Sequence, residues 1–142
     1  MRAHCRNAID VALYLQKNPQ VARVIYPGLH DDIEQRRRAK IYLSGFGGIV
    51  GLELKQGREA GERFIDALKL FYHVANIGDA RSLAIHPAST THSQLSANDQ
   101  LASGVTPGYV RLSVGIEHID DIIADLAQAL AAATARANAE AA

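Results

Sequence analysis

Apolar positions along the chain recur at helical spacing in some stretches and alternate with polar ones in others. From about Ala3 to Gln16, Ile9, Ala12, Leu13 and Gln16 fall at helical spacing, and Asn18-Pro19 predicts the stop. "VARVIY" reads as a short β-branched strand turned by Pro27-Gly28. Asp31 or Asp32 then caps a polar helix running to about Lys40, with Glu34 and Gln35 in reach as capping-box partners. "GFGGIVGLELK" is a glycine-rich entry into a strand at Ile49 to Leu54, and Gly57 to Phe71 reads as an amphipathic helix with Ala60, Phe64, Ala67, Leu68 and Phe71 on one side. "HVAN" and "RSLAI" are short extended segments, followed by the irregular "HPASTTHSQLS". Ser96 with Asp99 caps a brief helix that stops at Gly104. The last strand, Tyr109 to Val114, leads into a helix striped by Ile119, Ile122, Ile123, Leu126 and Leu130, with a small-residue, poorly anchored tail beyond Ala133. Helices and strands interleave without repeat or linker. The expected fold is one α/β domain spanning residues 1–142: a sandwich of about four strands with helices packed on one face.

Composition narrows the function classes. With 142 residues and 48% hydrophobic content, the chain can bury one core. Fifteen basic and fifteen acidic side chains cancel, so no large field favours nucleic acid or an anionic membrane. One cysteine, Cys5, excludes an intrachain disulfide and a multi-cysteine metal site, in keeping with a reducing cytoplasm. No apolar run approaches the ~20 residues that span a bilayer. "MRAHCRNAID" is too polar for a secretory signal, so the expectation is a soluble, cytoplasmic protein.

Most local motifs have bland readings. The glycines of "GFGG" precede a strand, whereas phosphate-binding glycines follow one, so a tight turn or close backbone approach is expected. His86 and His92 match no metal-ligand spacing. "RRRAK", Arg36 to Lys40, follows Asp31, Asp32 and Glu34 on one helix and reads as a solvated face whose charges oppose the helix dipole. "TTHSQLS" lacks a nucleophile elbow, which argues against a hydrolase triad.

Arg111 is harder to dismiss. Val110, Leu112 and Val114 alternate onto a buried face, which places Arg111 on the opposite, uncovered face of its strand. A charge there must be paired or must reach a polar cavity. Two readings stay open: an internal salt bridge to a carboxylate such as Glu53, or a planar fork awaiting an anionic ligand, most naturally a carboxylate. An uncovered apolar sheet face also calls for a partner or a further domain.

Four segments in order, "VIYPGL", "GFGGIVGLELK", "ANIGDARSLAIHPASTTHSQL" and "VRLSVGIEHIDDIIADLAQAL", resemble the C-terminal domain of the pyridoxal-phosphate (PLP) enzymes of cysteine and methionine metabolism. That family includes cystathionine γ-synthase, cystathionine and methionine γ-lyases and O-acetylhomoserine sulfhydrylase, and Asn76 before Ile77-Gly78 is most similar to the sulfhydrylase branch. The resemblance implies an aminotransferase-like fold (fold type I) assembled as dimers paired into tetramers. It implies that Arg111 holds the α-carboxylate of the amino-acid substrate, with Asn76 beside it and Thr91 lining the site.

It also implies what lies elsewhere. The Schiff-base lysine of the family belongs to a preceding cofactor domain, and Lys17, Lys40, Lys55 and Lys69 sit in none of its lysine-bearing motifs. On this reading the chain starts within the inter-domain helix, lacks the cofactor domain, binds no PLP by itself and is inactive alone. Two function classes follow. One is part of a sulfhydrylase, or of a cystathionine γ-synthase or methionine γ-lyase. The other is a non-catalytic amino-acid-binding or assembly module.

Overall fold

The computed structural model describes residues 1–29 and 33–135. The capping residues Asp31 and Asp32 and the end of the C-terminal tail therefore lie outside the described residues. Helix α1 (Arg2–Gln16) buries Ala8, Val11, Ala12 and Leu15 completely. It stops where expected: the amides of Lys17 and Asn18 turn back onto the carbonyls of Tyr14 and Leu15, and the Asn18 side chain then accepts the Gln20 amide at 3.0 Å. Strand β1 (Val21–Ile25), helix α2 (Ile33–Tyr42), β2 (Ile49–Leu54), α3 (Gly57–Ala67), β3 (Tyr72–His73), β4 (Leu83–Ile85), α4 (Ala97–Ala102), β5 (Tyr109–Ser113) and α5 (Ile119–Ala135) follow.

The sheet has five strands rather than about four, in the order β1-β2-β5-β4-β3. The additional strand is β3, only two residues long, too short to show an alternation in sequence. It is held parallel to β4 through Tyr72 N–H to the Ser82 carbonyl and Val74 N–H to the Ala84 carbonyl. The other pairings are antiparallel. One face of the sheet presents Val50, Leu52, Leu54, Ala84, Val110, Leu112 and Val114 to a core shared with α1, α3 and α5. From α5 it takes Ile122, Leu126 and Leu130 of the predicted stripe together with Ala129 and Ala133, while Ile119 packs against its edge and Ile123, half-buried, stays outside it.

Helix α3 ends at Ala67, four residues short of the expected Phe71. The cause is a buried carboxylate from another helix. Asp125 of α5 accepts the amides of Lys69 (2.9 Å), Leu70 (2.8 Å) and Phe71 (3.2 Å), and Gln128 donates to it at 3.0 Å. Charge-assisted bonds of this kind outweigh one more helical turn, so Phe71 enters the core from a bend just before β3.

The glycine-rich entry to β2 has the structural role its position implies. Gly47 has φ +83, a conformation that side chains disfavour, and Tyr26 donates to its carbonyl at 3.0 Å. Among the described residues, no helix is long and apolar enough to cross a membrane.

Candidate functional site

The face of the sheet turned away from the core carries the chemistry. Cross-strand register sets Ile25, Gly51, Arg111 and Ile85 in one row across four strands. The adjacent row holds Arg23, Glu53 and Tyr109. Together with Thr91 and His92, four of these residues (Ile25, Ile85, Tyr109 and Arg111) line an open pocket of about 500 Å³.

Glu53 does not pair with Arg111. Its carboxylate accepts Arg23 Nη2 at 2.9 Å and the Thr106 hydroxyl at 3.2 Å, and Arg111 takes part in none of the ion pairs among the described residues. The salt-bridge reading is therefore excluded. Arg111 Nη2 instead donates to the backbone carbonyls of Ala75 (2.8 Å) and Asn76 (3.2 Å), while its buried Nε has no partner. Two neutral carbonyls orient the guanidinium without neutralising it. Its full positive charge remains for something else, and the orphaned Nε adds a cost of its own, since a buried donor without an acceptor is unfavourable.

The segment carrying those carbonyls is exposed along its length and is held mainly from strand β5 and the residues after it, with His4 of α1 placing Nε2 3.0 Å from the Asp79 carbonyl. Ser113 Oγ accepts the Gly78 amide at 3.1 Å, and Ile116 N–H donates to the Ala80 carbonyl at 2.8 Å. Glu117 accepts the Ser82 amide and hydroxyl, while Ser82 Oγ accepts the Gly115 amide at 2.9 Å. Thus "VRLSVGIE" holds "ANIGDARS" at Ala75, Asn76, Gly78, Ala80 and Ser82, and two motifs distant in sequence form one device.

A second loop, from Pro87 to Leu95, brings Thr91 and His92 to the pocket. It is fastened from beneath: the buried Gln100 amide donates to the carbonyls of Ala88 (3.2 Å) and His92 (2.8 Å). His86, fully buried at the root of the loop, places Nε2 2.8 Å from the Pro107 carbonyl and Nδ1 2.8 Å from the Ser89 hydroxyl. Because a carbonyl can only accept, Nε2 carries the proton. Burial pushes the His86 pKa down, a shift the Pro107 bond and Glu62 oppose, so the ring is held neutral.

Tyr109 forms the neighbouring wall. Burial raises the pKa of its phenol, against the pull of the Arg111 charge, and Glu53 adds to the rise, so the hydroxyl keeps its proton at neutral pH.

Of the residues singled out in the sequence, Arg111 and Thr91 meet at the pocket. Asn76 participates differently: its carbonyl grips Arg111, while its exposed side chain makes no hydrogen bond among the described residues. Sequence reasoning passed over Ser113, although it sits two residues from Arg111 on the same strand face. It also passed over Ala75, whose contribution is a backbone atom and leaves no trace in residue type.

The family model for Cys/Met metabolism PLP-dependent enzymes matches residues 1–131. The chain belongs to that family. It is 56% identical over 131 residues to an O-acetyl-L-homoserine sulfhydrylase of Leptospira meyeri, covering 92% of this chain and 30% of the relative. An L-methionine gamma-lyase of Pseudomonas putida is 47% identical over 132 residues, covering 93% of this chain and 33% of that protein. A crystal structure of a Campylobacter jejuni protein described as an O-acetylhomoserine (thiol)-lyase superposes with a TM-score of 0.83 at 41% identity, covering 92% of this chain and 31% of that one. That crystal structure carries N'-pyridoxyl-lysine-5'-monophosphate. The chain thus spans about a third of the length of the relatives it matches, and its family works with PLP.

Proposed function

We propose that this chain is the C-terminal, substrate-carboxylate-binding domain of a PLP-dependent O-acetylhomoserine sulfhydrylase. The assembled enzyme, a cytoplasmic homo-oligomer expected to be a tetramer, would convert O-acetylhomoserine and sulfide into homocysteine and acetate. A carbon–oxygen bond breaks, a carbon–sulfur bond forms at the same carbon, and the acetyl oxygen leaves as acetate. What carries the reading is Arg111: oriented by two carbonyls, unpaired with any carboxylate among the described residues, and left with a buried orphan donor at a pocket. A planar fork in that state suits a carboxylate better than a lysine would. Holding that carboxylate fixes the orientation of the reacting carbon, an effect that supplies much of a rate enhancement where geometry controls the reaction.

All four lysines are exposed and none lines the pocket, which supports placing the cofactor with the portion of the enzyme beyond this chain. PLP, when bound there, supplies the electron sink for chemistry at the substrate's α-carbon. Sulfhydrylases among the relatives favour replacement by sulfide, whereas the methionine γ-lyases favour elimination as the second reading.

The test pairs an enzyme change with a substrate change. Arg111→Ala in the complete enzyme should lower kcat/KM by one to several powers of ten, from loss of a charge-assisted pair worth ~1.5–3 kcal/mol and of the orientation it gives. Arg111→Lys should recover little. Replacing the substrate carboxylate by a carboxamide should hurt the wild type and leave Arg111→Ala nearly indifferent. Equal sensitivity in both enzymes would end the carboxylate assignment. Product analysis with and without sulfide separates replacement from elimination.

A further inference from the structure

The carbonyls that aim Arg111 belong to an exposed segment, so something must hold that segment in place. Ser113 is 3% exposed and shares a strand face with Arg111. Its hydroxyl oxygen accepts the amide of Gly78, two residues beyond Asn76. Gly78 has φ +74, so the chain turns sharply there, and the turn determines where the two preceding carbonyls point. Further along, the segment is tied by Ile116 and Glu117, at Ala80 and Ser82. Between Val74, fixed to Ala84, and Ala80, the only ties from strand β5 among the described residues are Arg111 itself and Ser113.

We propose that Ser113 is a positioning residue for substrate binding. Through Gly78 it fixes the carbonyls of Ala75 and Asn76, and through them the direction of the Arg111 guanidinium. The inference rests on the reading of Arg111 as the carboxylate anchor. His4 of α1 places Nε2 3.0 Å from the Asp79 carbonyl and holds the far side of the turn, so without the Ser113 bond the stretch from Ala75 to Gly78 is tied to strand β5 by Arg111 alone. The guanidinium then trades one held orientation for several, and each encounter with substrate must restore the productive one.

Two readouts test this in the wild type, Ser113→Ala, Ser113→Thr and Arg111→Ala. The first is amide hydrogen exchange at Gly78, followed on the full chain. Ser113→Ala should speed that exchange at least about fivefold, as expected for one lost hydrogen bond. The second is steady-state kinetics of the complete enzyme with the amino-acid substrate varied. Ser113→Ala should raise KM about three- to tenfold with kcat changed less than about twofold, and Ser113→Thr, which keeps the acceptor, should restore both readouts. A merely structural role would lower stability and active fraction but leave KM alone. Should Ser113→Ala not fold, Ser113→Cys, whose sulfur is a weak acceptor, is read in the same way. Faster Gly78 exchange with unchanged KM, in an enzyme whose KM still responds to Arg111→Ala, overturns the role of Ser113 and spares that of Arg111. An unchanged KM in Arg111→Ala overturns both.

Discussion

The ring of Tyr109 lies over the bare Cα of Gly51: a Cβ placed at Gly51 would stand 2.8 Å from Tyr109 Cε2 and 3.0 Å from its hydroxyl oxygen. Gly51 is also the cross-strand partner of Arg111. A glycine in the middle of a strand, where it weakens local preference, is explained by the room it leaves for the pocket wall.

Gly51→Ala should therefore push the Tyr109 ring toward the pocket and destabilise the protein by about 1–3 kcal/mol through overpacking. Chemical denaturation measures the stability. In the complete enzyme, a rise in KM without loss of folded protein would show the narrowed pocket. An unchanged denaturation midpoint would mean that the ring moves aside freely.

Asp125 links α5 to the end of α3 through three backbone amides and Gln128. Asp125→Ala leaves those amides buried or half-buried without an acceptor and should cost about 3–5 kcal/mol. Asp125→Asn, which keeps one carbonyl oxygen, should cost less. Far-UV circular dichroism during urea unfolding gives both values, and equal costs would show that the charge and second oxygen contribute nothing.

His86 predicts a pH dependence of stability. Its folded pKa is depressed below the ordinary 6.5 by burial, so the unfolded chain binds the proton more readily. The stability it confers is complete above about 6.5 and declines as pH falls from there through the lower folded value. Melting temperatures recorded from pH 8 to pH 5 should show this decline, and His86→Gln should flatten it. The same slope in the variant would assign the effect to other groups.

The lysines make a chemical prediction. All four are exposed, and none lines the pocket beside Arg111. Treating the chain with PLP and borohydride should give scattered, substoichiometric labelling in peptide mass spectra. One lysine labelled stoichiometrically would relocate the cofactor to this part of the protein.

What was legible in the sequence follows from which forces act locally. The stripe of α5, the capped helix after Ser96 and the outward placement of Arg111 all come from periodicity and side-chain chemistry within a few residues. The end of α3 did not, because the acceptor that stops it lies 54 to 56 residues away in Asp125. Strand β3 (Tyr72–His73) overlaps the extended segment "HVAN" at His73 only, because two residues cannot display an alternation that would fix its bounds. The pairing of Arg111 was open for the same reason: Glu53 alternates outward as a partner would, yet Arg23, its neighbour across the ladder, takes its carboxylate. Asn76 was picked out by its place before Ile77-Gly78, whereas the bond from Arg111 to its carbonyl leaves no mark in residue type.

Anchoring an arginine with main-chain oxygens has a consequence for how the protein can diversify. Carbonyls survive any substitution, so the side chains at positions 75 and 76 are free to change while the grip on Arg111 stays the same. Related proteins can then alter the rim of the pocket, and with it the groups admitted beside a carboxylate, without rebuilding the part that receives the carboxylate. A mutational library confined to Ala75 and Asn76 would sample new preferences on a constant anchor.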